Sequence, residues 1–203
     1  MIEVNLQLES FREYIKLTES TIEIELKQRI EHYNKFLREG NEEEIREFYN
    51  YEDHEIREQT HQLFFNSLFI SIYSFLEKKM LQLCKLAESK QLIKVRDLSD
   101  DGIVKYRKYL TKILCINLDE VNIQWDLFMR YKVLRNLLVH TSTNTIDFEK
   151  SNLQKIVTLR SIDGLIVEDR EGFVEFEIRN KQLLLDFCSA IGIFLKHVHY
   201  EKH

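Results

Sequence analysis

The sequence predicts a mainly α-helical fold with a small β-hairpin near the C-terminus. Three observations favour helices: apolar residues recur at helical spacing, proline is absent, and only 5 glycines interrupt the 203 residues. Hydrophobic residues make up 44% of the chain, which is enough to bury one substantial core. Because nothing in this length requires a second domain, we expect one domain spanning residues 1–203.

The N-terminal part of the chain is predicted to form long helices. Apolar residues recur at helical spacing from Val4 to Leu37. Gly40 then suits a left-handed C-terminal cap, and Asn41, followed by three glutamates, suits the start of a new helix. A second long helix, from about Glu55 to Ser89, is apolar nearly all round in its middle. We therefore expect it to be buried between neighbours or to lie in a subunit interface.

Two more helices are expected in the middle of the chain. Ser99 and the residues after it signal a third helix through about Ile116, and Asn117 to Glu120 signal a fourth through about His140. The hydroxyl and amide side chains of residues 141–145 compete with helix hydrogen bonds, so the fourth helix should end close to His140. Its predicted core residues are Leu127, Tyr131, Leu134 and Leu138.

The C-terminal part combines a hairpin with a closing helix. After a short helical stretch near residues 148–158, Leu165–Val167 is predicted to pair with Val174–Ile178, whose apolar residues alternate with glutamates. Asn180 is a predicted N-cap of the closing helix. We assign the main core to about 1–158, and the hairpin and closing helix to about 161–200.

Composition and missing motifs disfavour several classes of protein. The net charge of −5 argues against binding nucleic acid over the whole surface, although a local basic site remains possible. Cys84, Cys115 and Cys188 form no C-x-x-C pair and are expected to be reduced and mostly buried. The sequence has neither a secretory signal nor a run of ~20 apolar residues, which favours a cytoplasmic protein without a membrane span. P-loop, G-x-G-x-x-G, H-E-x-x-H and G-x-S-x-G motifs are missing.

The strongest candidate for chemistry is a polar cluster at the end of the fourth helix. Asn136 and His140 are four residues apart and share a helix face, so the amide is predicted to orient the imidazole. Arg135 lies about 140° around the helix axis from His140. Convergence of the two therefore requires a frayed helix or a partner from a second subunit.

This cluster has the pattern R-N-x-x-x-H, late in a helix that follows an apolar helix containing Tyr73–Glu77 (YSFLE). In this respect the chain resembles the HEPN superfamily over roughly Glu55 to His140. The resemblance implies a helical bundle that dimerises and brings two arginine–histidine motifs into one cleft, where RNA is cut without a metal or cofactor. The hairpin and closing helix lie outside the resemblance.

The resemblance also implies roles for residues and partners. His140 would be the acid–base residue, Arg135 the phosphate-binding cation and Asn136 the orienting amide. Many HEPN proteins belong to toxin–antitoxin or phage-defence systems, which adds an antitoxin protein to RNA and a second copy of the chain as expected partners. Relatives paired with nucleotidyltransferase antitoxins often carry a tyrosine two residues after the histidine, whereas this chain has Ser142.

Other polar residues are weaker candidates. Asn66, Tyr73 and Glu77 form a polar seam on the apolar second helix; Glu77 is expected either to pair with Arg135 or to be structural. The candidate RNA-binding cations are Lys105, Lys108 and Lys112, with Tyr106 and Tyr109 interleaved, together with Arg130. A solvated face also explains these lysines. The alternative to a nuclease is a noncatalytic HEPN-like module for dimerisation or protein interaction.

Overall fold

Six α-helices and a three-stranded antiparallel sheet make up the part of the chain that the structure, a computed structural model, describes. The mainly α-helical prediction is confirmed. The helices are α1 (Ile2–Glu39), α2 (Glu42–Glu88), α3 (Gly102–Lys108), α4 (Asn122–His140), α5 (Leu153–Arg160) and α6 (Lys181–Glu201). The strands are β1 (Thr145–Asp147), β2 (Leu165–Arg170) and β3 (Phe173–Ile178).

The described residues are 1–39, 42–141 and 143–201. Side chains are described for most of residues 1–35 and from residue 59 onward within these ranges. The predicted cap at Gly40, the predicted helix start at Asn41, and Ser142 lie outside the described residues.

The long helix α2 begins earlier than the apolar pattern indicated. It runs continuously from Glu42, whereas the sequence placed its start near Glu55. Residues 42–54 contain neither proline nor glycine, so no residue in this stretch interrupts a helix. The apolar middle of α2 is buried within the chain against α1, α3, α4 and α6, as expected for a helix between neighbours.

The closing helix α6 supplies the centre of the core. The Phe187 ring centroid lies 5.3 Å from that of Phe69 on α2, and 6.0 and 4.6 Å from those of Phe128 and Tyr131 on α4. These tilted and edge-to-face pairs hold three helices together. The predicted cap is confirmed, because Asn180 Oδ1 accepts the backbone N–H of Gln182 at 3.0 Å.

The buried face of α4 differs from the predicted one. Tyr131 and Leu134 are buried as expected, but Leu127 and Leu138 are only half-buried. The other buried residues of this helix are Trp125, Phe128 and Leu137. Together with Tyr131 and Leu134, these residues are three apart, and three residues of helix fall about 60° short of a full turn. Each buried residue is therefore displaced by about 60° around the axis from the one before, and the buried stripe winds around the helix. This winding suits a helix that packs against α2, α5 and α6 at once.

The sheet has one more strand than the predicted hairpin. Its order is β1-β3-β2, and β1 pairs antiparallel with β3 through Ile146 and Val174. The sequence did not indicate β1 because three residues with one apolar side chain are too short for an alternating pattern. The predicted alternation in β3 is confirmed, since its Val174, Phe176 and Ile178 are buried. The β2–β3 turn is shorter than predicted, with Gly172 at a φ of +85° in the two-residue loop.

The third helix is shorter and less regular than predicted. It ends at Lys108 and continues as one π-helical turn, Tyr109–Ile113. Cys115 then has a φ of +53°, which cannot continue a right-handed helix. Cys84 and Cys188 are buried as expected, but Cys115 is exposed.

The helix α6 is also the exception to the predicted lack of a membrane-length segment. Of the described residues, Lys181–Glu201 is the one helix that is long and apolar enough to cross a membrane. Half of its apolar window is buried inside the protein, and core helices often pass the same test.

Candidate active site

Arg135 lies where α2 and α4 meet, and it contacts three groups. Its Nη1 donates a hydrogen bond to Asn136 Oδ1 at 3.0 Å, and its Nη2 lies 3.9 Å from Glu77 Oε2. Its guanidinium carbon lies 5.8 Å from the centroid of the Tyr73 ring. The exposed fractions of the Arg135 and Glu77 side chains are 29% and 27%, so solvent still reaches both charges. The predicted pairing of Glu77 with Arg135 is therefore present as a long, partly solvated contact.

The start of α3 positions Glu77 from the other side. Gly102 has a φ of +56°, and a Cβ added there would lie 2.7 Å from Glu77 Oε1. A glycine at this position lets the backbone approach the carboxylate closely. Burial first, and then the negative charge of Glu77, raise the pKa of Tyr106, one turn further along α3. Glu77 thus links α3 to the arginine on α4.

Tyr73 forms the buried floor below Arg135. It is 1% exposed, and its hydroxyl makes no hydrogen bond with the described residues; the same is true of Arg135 Nε. Burial first, and then the negative charge of Glu77, raise the pKa of Tyr73 well above its ordinary value. The phenol therefore stays protonated at neutral pH, which makes it a hydrogen-bond donor and excludes it as a general base.

His140 is the last residue of α4 and is exposed. The helix ends there as predicted, with the Thr141 backbone N–H and hydroxyl both bonded to the Leu137 carbonyl. The amide oxygen of Asn136 accepts from Arg135, and no hydrogen bond joins Asn136 to His140 among the described residues, so the predicted orientation of the imidazole by Asn136 is not present in the single chain. Within the described residues the imidazole has no hydrogen-bond partner.

The polar seam extends beyond the predicted cluster to one residue that sequence reasoning missed. Asn66 Nδ2 donates to Asn144 Oδ1 at 3.1 Å, across the loop that leads into β1. The remaining amide atoms, Asn66 Oδ1 and Asn144 Nδ2, are buried without a partner among the described residues. In the sequence, Asn144 is one polar residue in a hydroxyl-rich loop. That pattern does not indicate which helix the loop packs against, so the contact with Asn66 could not be predicted.

The candidate RNA-binding cations differ in their partners and surroundings. Lys108 pairs with Asp100 at 2.8 Å, and Arg130 Nη1 donates to the Ser161 carbonyl at 2.7 Å. Lys112 is exposed on the π-helical turn. Because a π-helical turn takes more residues than an α-helical one, α-helical spacing does not give the direction of Lys112 relative to Lys105 and Lys108. Lys105 lines a groove beside α2.

The two tyrosines between these lysines also differ. Tyr109 is fully buried, and its hydroxyl donates to the Ile93 carbonyl at 2.9 Å, so it is unavailable to stack on a base. Tyr106 is half-buried and lines the same groove as Lys105.

Among the described residues, no group of three His, Cys, Asp or Glu side chains has the arrangement of a metal site. Comparison of the chain with protein-family models, curated proteins and solved structures finds no match.

Proposed function

We propose that this chain is a HEPN-type endoribonuclease that acts as a homodimer, with Arg135 and His140 as its catalytic residues. One observation carries the proposal: near the end of α4, the guanidinium of Arg135 is held by other side chains, whereas the imidazole of His140 is exposed and makes no hydrogen bond with a described residue. The side chains that hold Arg135 are those of Asn136 and Glu77. Phosphodiester cleavage needs both groups: a cation for the phosphate and a proton carrier with access to the ribose.

The unsatisfied donors beside Arg135 support a site that is completed by a ligand. Buried polar groups in proteins nearly always have hydrogen-bond partners. Arg135 Nε and the Tyr73 hydroxyl are two buried donors without partners among the described residues, and the Tyr73 ring centroid lies 5.8 Å from the guanidinium carbon. Solvent reaches part of the Arg135 side chain, so the charge of an anionic phosphate would compete with Glu77 for the guanidinium.

The reaction would use the RNA as its own nucleophile. His140 accepts the proton of a ribose 2′-hydroxyl, the 2′-oxygen attacks the neighbouring phosphorus, and the bond from phosphorus to the 5′-oxygen breaks. A second proton carrier protonates the leaving 5′-oxygen. The products are a 2′,3′-cyclic phosphate and a 5′-hydroxyl, and Arg135 stabilises the negative charge of the transition state.

The directions of Arg135 and His140 on α4 are the reason for proposing a homodimer. Arg135 and His140 point about 140° apart on α4, so one chain does not bring both to the same phosphate. A two-fold axis beside the end of α4 would place His140 of one copy against Arg135 of the other. Each composite site would then contain one imidazole and one guanidinium, and a water molecule would protonate the leaving 5′-oxygen.

The proposal is tested by cleavage of mixed single-stranded RNA in EDTA, comparing wild type with His140→Ala and Arg135→Ala. We expect each substitution to lower the cleavage rate by at least about a hundredfold, since general acid–base catalysis contributes about 10²–10⁴-fold. Arg160→Ala is the matched control, because Arg160 is an exposed cation paired with Asp169 on β2. Equal rates in all four proteins, or no cleavage by any of them, would refute the nuclease.

A noncatalytic interaction module is the second candidate, and exposed apolar side chains favour it. Val139, next to His140, is 46% exposed, and Leu63 and Phe64 on α2 are 68% and 40% exposed. Such residues are typical of a surface that a partner covers. A dimer in solution, combined with no cleavage of RNA by wild type, would support this function instead.

A further inference from the structure

We propose that a basic groove between α2, α3 and the loop joining them binds the phosphate backbone of single-stranded RNA next to the cut. This inference rests on the proposed function and adds a second contact site for the same substrate. The groove has a volume of about 550 Å³, which lies within the usual range of ligand sites. The residues that carry the argument are Lys85, Glu88, Lys94, Arg96, Lys105 and Tyr106.

The groove concentrates positive charge in an acidic chain. Four cations line it against a single carboxylate, whereas the whole chain has a net charge of −5. The carboxylate, Glu88, is already engaged, since its Oε1 accepts the Val95 backbone N–H at 2.6 Å. A concave surface with this excess of Lys and Arg attracts a polyanion. It favours a nucleic-acid backbone, which carries one charge per phosphate, over the surface of an acidic protein, whose charges are further apart.

The groove cations also differ from other surface cations in how little they are neutralised. Arg12, Lys16 and Arg179 each have a carboxylate within 3.1 Å. By contrast, Lys85 and Lys105 form no ion pair with any described residue. The remaining two groove cations are partly engaged.

Lys94 donates to two backbone carbonyls, those of Glu88 and Gln91, at 2.6 and 2.8 Å. Its charge therefore meets no carboxylate there. Arg96 has only a long contact of 3.8 Å with Asp97, and its side chain is 87% exposed. Positive charges that no carboxylate neutralises are the ones that release counterions when a phosphate binds.

An aromatic side chain and a short path connect the groove to Arg135. Tyr106 is half-buried at the groove wall, where its ring can stack on a base. It lies four residues after Gly102, the residue that approaches Glu77. Four residues of helix span about 6 Å, so a strand leaving the groove reaches the Glu77–Arg135 contact within a short distance.

The test measures RNA binding separately from cleavage. Fluorescence anisotropy is recorded with a labelled single-stranded RNA of about 12 nucleotides, in a His140→Ala background that prevents cleavage. Lys85→Glu/Lys105→Glu is compared with Lys155→Glu/Lys196→Glu. The second pair makes the same change in charge at exposed lysines of α5 and α6. Because a negative charge in the last turn of α2 would oppose the helix dipole, Lys85→Gln/Lys105→Gln is included as a variant that avoids this cost.

We expect the groove variants to bind RNA at least about tenfold more weakly than the control pair. The slope of log K against log salt should fall by about 0.7 for each lysine lost, as for single-stranded contacts. Equal affinity in the groove and control pairs would overturn the groove, even if cleavage by wild type depends on His140. If the groove variants lose binding and wild type cuts no RNA, the groove is supported and the nuclease fails.

Discussion

Arg135 touches an amide, an acid and an aromatic ring, and each contact has a different consequence for its chemistry. The 3.0 Å hydrogen bond to Asn136 fixes the plane of the guanidinium. The 3.9 Å separation from Glu77 is long for an ion pair, so the phosphate of the proposed substrate would displace the carboxylate at small cost. The Tyr73 ring faces the guanidinium at 5.8 Å, a distance at which a ring attracts a cation.

Replacing Arg135 by lysine should show whether its planar fork matters beyond its charge. Lysine keeps the positive charge but cannot hold Asn136 and a phosphate in two directions at once. We expect Arg135→Lys to lower kcat/KM for RNA by about tenfold or more, measured by the release of 5′-hydroxyl fragments. Arg160→Lys should leave kcat/KM unchanged, and an equal loss in both variants would contradict a role for the fork.

Substitution of Gly102 should destabilise the fold at the point where α3 contacts Glu77. Gly102→Ala imposes a left-handed φ on a residue with a Cβ and presses that Cβ against Glu77 Oε1. We expect the free energy of unfolding in urea to fall by about 1–2 kcal/mol. Gly172→Ala is the control, since it also has a positive φ but meets nothing within 4 Å. If both variants lose the same stability, the contact with Glu77 contributes nothing.

The short helix α3 contributes residues near the site, whereas the long helix α6 contributes to the core that supports it. Helix α3 is seven residues long, and its importance lies in placing Gly102 beside Glu77 and Tyr106 in the basic groove. Helix α6 carries Phe187, whose ring packs against α2 and α4. The site on α2 and α4 therefore depends on a helix that contributes no residue to it.

Loss of the α6 N-cap should lower the stability of the fold without changing any residue of the site. Asn180→Ala removes the acceptor of the Gln182 N–H, which we expect to lower the free energy of unfolding by about 1 kcal/mol. Asn180→Asp keeps an acceptor and should retain most of the stability. Urea denaturation followed by circular dichroism measures both, and equal loss in the two variants would show that the cap is not the cause.

For the whole molecule, the orientation of Arg135 and His140 predicts catalysis across a dimer. A mixture of Arg135→Ala and His140→Ala chains forms heterodimers in which one copy supplies His140 and the other supplies Arg135. We expect the mixture to cut RNA faster than the sum of the two variants measured separately. The control mixes each variant with itself at the same total concentration. A rate equal to the sum would contradict a site shared between copies.

Much of the architecture was predictable because it depends on residues close together in the chain. Helical spacing identified the apolar faces of α2 and α6, and the side chain of Asn180 identified the start of α6. The polar run after His140 identified the end of α4. Each of these signals acts over one to four residues, the range of a helical turn or cap.

The tertiary structure decided what depends on residues far apart in the chain. It alone brought Asn144 to Asn66 and added β1 to the sheet. It also assembled the basic groove from α2, α3 and the loop between them. The physical reason is that local patterns specify which face of an element is apolar, while the partner of each polar group is set by how the elements pack.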